Sequence, residues 1–328
     1  MNGSLNNEEK STAASNSASS ELQSQFHPTL QQETTIADTT RQGILLAIIA
    51  MAAFSSGDAV VKHVAQTYPL PQLLWIRYLI LSVLVIGMAV YREGPGGVVK
   101  IVRSNNLSLQ IFRSIFLVGE AFLFTLSFKL LPIADVHSIV AVAPIFVTAL
   151  SALWLKEKVG LRRWLAVLIG FAGVMIILRP GFEGFNELFL LPLLAAIAFA
   201  FYQILLRISS RYDDGQVSQF YTGIVPLVVV TFLVPFFWVQ PDFYGWIALI
   251  AGGIFISLGH LFLIFAFQYA TPSAVQPFNY TLLVWATLFG WLFYKELPDE
   301  WTITGALIVV ASGLYTLYRE RKRATRQS

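Results

Sequence analysis

The feature that most constrains this chain is a succession of long apolar segments that begins at Gly43 and continues almost to the C-terminus. A hydrocarbon core about 30 Å thick is crossed by about 20 apolar residues in helical form. Ten segments approach or exceed this length: 43–65, 71–91, 107–128, 133–154, 161–178, 187–208, 216–238, 243–269, 273–294 and 301–318. The alternating hydrophobicity of a membrane β-barrel is not seen in the sequence. We therefore predict an all-α integral membrane protein with ten transmembrane helices in one bundle.

The composition agrees with this class. Charged residues make up only 12% of the chain, about half of what a soluble domain carries. The sequence is thus unlike a disordered protein, a nucleic-acid binder or a soluble two-domain enzyme. Cysteine is absent, which leaves no disulfide framework and no thiolate metal site. The partners we expect are membrane lipids and a small-molecule substrate, with no cofactor and no metal.

Two terminal segments do not belong to the apolar body. Residues 1–41 are rich in Ser, Asn, Gln and Thr and contain no apolar run. They lack the pattern of a signal peptide, and we expect them to form a disordered cytoplasmic tail. Residues 320–328 are expected to form a short basic tail on the same side.

The basic residues predict an orientation. With the N-terminus in the cytoplasm, 16 of the 22 lysines and arginines fall on the cytoplasmic side, 3 on the other side and 3 within spans. Short cytoplasmic loops carry such an excess. We therefore predict a multi-pass inner-membrane protein with both termini cytoplasmic.

The chain also divides into two halves of five spans each, residues 43–179 and 187–319. The segment 143–159 matches 282–298 in the spacing of its apolar and charged residues. Because five is odd, the second half must enter the membrane upside down relative to the first. Inverted repeats are typical of secondary transporters, whose substrate sites lie between the halves.

Several residues resemble a known family pattern. Lys62 ends the first span, Arg77 lies inside the second, Pro144 lies in the fourth and Glu157 closes it. With the stretch 279–320, they resemble the drug/metabolite transporter superfamily in its ten-span EamA group. The resemblance covers everything after the N-terminal tail. It implies two inverted EamA-type repeats and a carrier rather than an enzyme.

The resemblance is nearest to a bacterial subgroup that includes uptake permeases for riboflavin and S-adenosylmethionine, beside exporters of amino acids and related metabolites. It implies that Glu157 and Glu296 are architectural, at the ends of the fourth and ninth spans. From their positions beside lysines at the span ends, we expect local hydrogen bonds that fix the following turns, with no contact to substrate.

Charged residues within the spans are costly and are functional candidates by default. Asp58 and Lys62 are four residues apart on the first span and share a face, so they can pair with each other. With Glu120 in the third span, they are candidates for a proton or charge relay. Glu120 can equally be a neutralising partner for Arg113 or Arg77.

Arg77 lies about 9 Å inside the second span. It can borrow a carboxylate from Asp58 or Glu120, or it can face a wet cavity and meet an anionic or carbonyl group of a substrate. The second half has Thr222 at the equivalent position, so Arg77 has no symmetry mate.

Uncharged polar and aromatic side chains near these charges complete the candidate site. Such residues can glue helices together or orient a polar ligand. Gln276 and Tyr280 are expected to share one face of the ninth span. Asp135 and His137 are expected to be interfacial or gating residues, and His260 a hydrogen-bonded core residue or a titrating group. The predicted substrate-binding residues are Trp75, Arg77, Tyr202, Gln203, Gln276, Asn279, Tyr280 and Trp285.

These observations predict a secondary transporter that moves a small organic metabolite by alternating access, with proton coupling as an open option. The aromatic and polar candidates favour uptake of a flat heterocycle such as riboflavin. The alternatives are export of amino acids or related metabolites, uptake of S-adenosylmethionine, a channel, and a membrane-embedded enzyme acting on lipid-linked substrates.

Overall fold

The computed structural model describes residues 40–154, 161–179, 186–270 and 272–327, and every regular element in these ranges is helical. Numbered in chain order, the α-helices are α1 Thr40–Val64, α2 Leu70–Glu93, α3 Pro95–Val102, α4 Leu107–Leu130, α5 Ile133–Val140, α6 Ala143–Trp154, α7 Leu161–Leu178, α8 Leu190–Ser209, α9 Gly215–Phe237, α10 Phe243–Tyr269, α11 Pro272–Val275, α12 Thr281–Phe289 and α13 Glu300–Gln327. Two 3₁₀ turns, Glu187–Phe189 and Gln276–Tyr280, and one π-helical turn, Gly290–Tyr294, complete the secondary structure of these ranges.

Seven helical segments in the described ranges are long and apolar enough to cross a membrane. They have 22 to 27 residues each and coincide with predicted spans one to four and six to eight. The fifth predicted span is α7, whose apolar part Trp164–Leu178 is shorter. The ninth is divided among α11, a 3₁₀ turn, α12 and a π-helical turn, and the tenth is the first part of α13. This last helix continues to Gln327, through the predicted basic tail.

Polar caps and prolines in the connections set the helix ends. The Asn106 side chain accepts a hydrogen bond from the Leu109 backbone amide at the start of α4 (3.2 Å), and Asp242 does the same for Gly245 in α10 (2.8 Å). These caps satisfy amide groups that have no partner within the helix. The short connections therefore end each apolar helix close to the start of the next.

Helices from the two halves pack against each other in pairs. The pairs are α2 with α9, α4 with α8, α5 with α12, and α7 with α13. Exchanging each span for its predicted equivalent in the other half leaves three pairs of spans unchanged: second with seventh, fourth with ninth, and fifth with tenth. The same exchange turns α4 with α8 into α10 with α1. Those two helices are also in contact, since Gly57 of α1 lies against Ile256 of α10. The interface thus has the pattern of an approximate two-fold axis.

Equivalent helices run in opposite directions where they meet. Gln72, near the start of α2, bonds to Val239, just after the end of α9, whereas Ser82 farther along α2 lies against Gly223, nearer the start of α9. The helices α2 and α9 are therefore antiparallel.

The other antiparallel pair, α7 and α13, approaches closely at two glycines. A Cβ atom added at Gly305 would lie 2.5 Å from the backbone oxygen of Gly173, and one at Gly173 would lie 2.9 Å from that of Gly305. Gly170, one turn earlier on α7, faces Ser312 later on α13. The absence of side chains at Gly173 and Gly305 lets the two backbones touch.

At each end of the bundle, hydrogen bonds join one half of the chain to the other. At the end that we call the Asp213 face, the Asn105 amide and the Ser104 hydroxyl donate to the Asp213 carboxylate (2.6 and 2.5 Å). At the opposite end, the Lys62 face, Gln72 makes a two-fold hydrogen bond with the Val239 backbone (2.9 and 3.1 Å). The first contact joins two loops, and the second joins the first turn of α2 to the segment after α9.

Candidate functional site

The fourth and ninth predicted spans are both interrupted, and the interruptions lie at matching points of the two halves. The fourth breaks at Ala141–Val142, between α5 and α6, and the ninth is irregular through Gln276–Tyr280, just before α12. When the alignment of 143–159 with 282–298 is extended by two residues toward the N-terminus, Ala141 falls opposite Tyr280, where the two interruptions overlap. The helices beside the breaks, α5 and α12, pack together. Interrupted helices at membrane depth leave backbone groups free for a ligand.

On the Lys62 face, Lys62 of α1 bridges the two halves. Its Nζ atom donates to both carboxylate oxygens of Glu296 (2.8 and 2.9 Å) and to the Leu131 carbonyl (2.7 Å). The Tyr294 hydroxyl donates to the Ala59 carbonyl beside it (2.6 Å). The backbone amide of Glu296 makes a local hydrogen bond to the Gly290 carbonyl (3.1 Å), but its side chain reaches α1, which is distant in sequence and was not part of the expectation. Glu157, the predicted counterpart of Glu296, lies outside the described residues.

One turn earlier on α1, Asp58 pairs with a histidine of the fourth span. The Asp58 carboxylate lies 3.0 Å from His137 Nε2, and both side chains are buried. The rings of Phe124 and Phe128 flank the imidazole at 5.6 and 5.4 Å. The predicted pairing of Asp58 with Lys62 is therefore wrong: α1 directs these side chains to different partners from other helices.

Arg77 lines a narrow cavity between α1, α2, α4 and α10, with room for roughly one water molecule. Its Nε atom is buried and finds no hydrogen-bond partner among the described residues. The guanidinium lies 5.7 Å from the Tyr78 ring centroid. Glu120 is within electrostatic range of both Arg77 and Asp58. The structure thus brings three of the predicted charged candidates, Asp58, Arg77 and Glu120, into one region.

Arg113 belongs to a separate polar cluster and does not need Glu120. It is fully buried, and its Nε atom donates to Gln110 (2.7 Å). Its other nitrogens donate to the Thr222 hydroxyl (3.0 Å) and to the Ser218 carbonyl. The hydroxyl of Tyr202, a predicted substrate residue, lies 3.3 Å from that of Thr222, and the Tyr202 ring centroid lies 5.5 Å from the Arg113 guanidinium.

The Arg113 cluster extends to the Asp213 face through Gln110, whose Nε2 atom donates to Asp213 (2.7 Å) and to Ser209 (2.8 Å). Burial alone would raise the pKa of Asp213, but the hydrogen bonds from Gln110, Ser104 and Asn105 outweigh it and hold this pKa below its ordinary value. The sequence analysis named neither Gln110 nor Asp213. The available signal in the sequence was a glutamine three residues before an arginine within one predicted span, a spacing that lets the two side chains meet.

The broken ninth span holds four predicted substrate residues. Gln276–Tyr280 form a 3₁₀ turn, which has three residues per turn instead of 3.6. Gln276 therefore aligns with Asn279, and the predicted shared face of Gln276 and Tyr280 is wrong. The Asn279 Oδ1 atom and the Tyr280 hydroxyl are buried without hydrogen-bond partners in the described part of the chain. Trp285 in α12 stacks on Phe289 with centroids 6.0 Å apart.

The remaining candidates lie apart from this turn. The Trp75 indole nitrogen donates to the Thr231 hydroxyl on α9 (3.0 Å), so its polar edge is engaged away from the broken span. Gln203 is half-buried on α8, next to Tyr202. His260 is held as a core residue, with Nδ1 2.9 Å from the Ile256 carbonyl.

Comparison with known proteins identifies the family. The model of the EamA-like transporter family matches residues 41–179 and again 187–318. The two matches coincide with the two halves predicted from the internal repeat. Together they cover most of the chain.

Individual relatives transport different compounds. A riboflavin transporter of Vibrio cholerae is 30% identical, with 87% of this chain and 96% of that protein covered. An S-adenosylmethionine uptake transporter of Rickettsia conorii is 25% identical, with coverage of 87% and 95%. A pseudopaline exporter of Pseudomonas aeruginosa is 26% identical, with coverage of 84% and 96%.

A solved crystal structure shares the fold, with a TM-score of 0.60 and 18% sequence identity. It covers 85% of this chain and 98% of its own. The two matches to the family model, the seven long apolar helices and this structural likeness agree, and they show that the chain belongs to the EamA-like transporter family.

Proposed function

We propose that this protein is a ten-span carrier built from two inverted repeats, which moves a small organic metabolite across a bacterial inner membrane by alternating access. The observation that carries the proposal is the pair of interrupted helices at matching points of the two halves. Paired interruptions near the middle of inverted repeats are where such carriers bind their substrates. No catalytic step is part of the proposal.

The contacts on the Lys62 face support alternating access. The Lys62–Glu296 and Asp58–His137 pairs and the Tyr294–Ala59 hydrogen bond all link α1 to the fourth or ninth span on this face. The narrow Arg77 cavity, which is lined by Val61 and Val64 of the same part of α1, is too small for a metabolite. We propose that this conformation is closed on the Lys62 face, and that these contacts break when the site opens there.

For the substrate we propose a flavin-like heterocycle such as riboflavin, taken up into the cell. Asn279 and Tyr280 offer buried polar atoms without partners among the described residues, and Trp285 and Phe289 offer a stacked aromatic surface nearby. A flat molecule with a polar edge suits such a combination of apolar walls and few polar groups. The similarity to the riboflavin transporter of Vibrio cholerae favours the same choice.

We further propose that Asp58 and Glu120 carry or balance a proton during the cycle. They lie in one region with Arg77, and Asp58 already contacts His137 across the boundary between spans. If substrate uptake continues in the presence of an uncoupler and also in the Glu120→Gln variant, this coupling is contradicted. We expect the substrate to stop accumulating in the cells under each of these two conditions.

The substrate is tested by growth of a riboflavin auxotroph on micromolar riboflavin with this gene as its only importer. We expect growth with the wild-type chain and no growth with Asn279→Ala, provided that both proteins are present in the membrane. Uptake of labelled S-adenosylmethionine and efflux of labelled amino acids are measured in the same cells. If riboflavin does not rescue growth and one of the parallel assays shows saturable flux, the compound in that assay replaces riboflavin as the proposed substrate.

A further inference from the structure

A cavity near one end of the bundle lies on the Asp213 face, away from the interrupted helices. Its volume is about 660 Å³, within the range of small-molecule sites. The end of α2, the short helix α3, the start of α9 and the last turns of α10 form its walls. Three cations line it, Arg92, Lys100 and Arg103, above an apolar floor that includes Ile101 and Ile264.

The acidic groups in the lining do not cancel these cations. Asp213 keeps its negative charge, but its oxygens already accept hydrogen bonds from Ser104, Gln110 and Asn105, the last of which also lines the cavity. Lys100 is paired with Glu93 at 3.1 Å. Neither Arg92 nor Arg103 has an ion pair with any residue in the described ranges, and both are exposed. Asp213 and Asp214 both line the cavity, so three cations face two carboxylates and the lining has a formal charge of +1, with Glu93 outside it.

The cavity straddles the boundary between polar and apolar surroundings. Arg92 lies at the end of α2, and Arg103 directly follows α3, whereas Ile264 lies five residues before the end of α10. At 1.5 Å per residue, that places the floor about 7 Å toward the apolar interior. The same three helices also carry exposed apolar side chains close in sequence to the lining residues: Tyr91 (91% exposed), Val99 (57%) and Phe267 (42%).

We propose that this cavity binds the phosphate-bearing headgroup of an anionic phospholipid such as phosphatidylglycerol. Arg92 and Arg103 meet the phosphate, as guanidinium groups match phosphate oxygens in a bidentate arrangement. The glycerol backbone lies over Ile101 and Ile264, and the acyl chains leave along Tyr91, Val99 and Phe267. A basic recess between membrane helices at the interface is the form that headgroup sites take. The site is independent of the transported compound.

Native mass spectrometry of the purified full chain in detergent tests the proposal, with titration of phosphatidylglycerol against phosphatidylcholine. We expect preferential binding of phosphatidylglycerol to the wild type, and roughly tenfold weaker binding to the Arg92→Gln/Arg103→Gln variant. The control is Arg41→Gln/Arg211→Gln, which removes the same charge from exposed positions on the same face outside the cavity. This control should keep wild-type binding.

Three results would overturn the proposal. The first is an equal loss of phosphatidylglycerol binding in both double variants, and the second is no loss of binding in Arg92→Gln/Arg103→Gln. The third is full displacement of the lipid by millimolar inorganic phosphate. The last would assign the cavity to a soluble anion. Thermal stability without added lipid checks that each variant is folded. If the double variant does not purify, Arg103→Gln alone is compared with Arg211→Gln under the same criteria.

Discussion

Lys62 and Glu296, which are 234 residues apart in sequence, form an ion pair of 2.8 Å that joins the end of the first span to the end of the ninth. The Lys62 side chain is only 8% exposed, and the Glu296 side chain is 30% exposed. The Leu131 carbonyl accepts a further hydrogen bond from the same ammonium group. One lysine thus ties together three segments on the Lys62 face.

The first prediction concerns this ion pair. Lys62→Gln or Glu296→Gln alone leaves a partly buried charge without its partner, and each should lower stability by roughly 1–3 kcal/mol. The double variant removes both charges and should recover part of the loss, with a coupling energy of about 0.5–3 kcal/mol. Thermal unfolding of the wild type, the two single variants and the double variant, purified in detergent, measures these stability differences. Additive losses would show that the contact contributes nothing to stability.

A second prediction concerns the contact between α7 and α13. Gly305→Ala places a methyl group against the Gly173 carbonyl and should destabilise the protein by about 1–3 kcal/mol, because neither backbone can move aside easily. The matched control is Gly87→Ala in α2, where an added Cβ meets nothing within 4 Å. Equal melting temperatures for the two variants would contradict the close approach. The control should instead match or exceed wild-type stability, since alanine favours helix.

The third prediction concerns pH. The pKa of Asp213 is held below its ordinary value of 3.8 in the folded protein. Asp213 therefore contributes stability above the pKa of the unfolded chain, and that contribution is lost as the pH falls through the lower folded pKa. At pH 7, Asp213→Asn should melt at a lower temperature than wild type. The difference should shrink below about pH 4, and a constant difference down to pH 3 would contradict this origin.

A fourth prediction concerns orientation. The distribution of lysines and arginines places the loop containing Arg103 in the cytoplasm and the loop containing Gln240 outside. An alkaline phosphatase fusion at Arg103 should be inactive and one at Gln240 active, with the reverse pattern for green fluorescent protein. Phosphatase activity at Arg103 would invert the orientation and place the cationic cavity outside the cell.

The fifth prediction separates function from folding at Arg77. Arg77→Gln should reach the membrane in normal amount and lose most transport, since the buried Nε atom already lacks a partner among the described residues. Arg211→Gln, which changes an exposed arginine, should leave both quantities unchanged. If Arg77→Gln instead disappears from the membrane, Arg77 is structural.

Much of the fold followed from the sequence because membrane insertion depends on local composition. A run of about 20 apolar residues must satisfy its backbone as a helix in lipid, so the seven long helices coincide with predicted spans. The match between 143–159 and 282–298 likewise indicated two halves through residue spacing alone. The charged residues Asp58, Lys62, Arg77 and Glu120 stood out because ionisable groups in an apolar run are costly wherever they point.

Only the tertiary structure decided which of these residues meet. Helical spacing suggested that Asp58 pairs with Lys62, yet Asp58 meets His137 and Lys62 meets Glu296, because other helices supply better placed partners. The spacing of Gln276 and Tyr280 misled for a related reason, since the helix is 3₁₀ at that point. Periodicity within one helix fixes which face a side chain occupies. The partner on that face depends on packing between segments that can lie hundreds of residues apart.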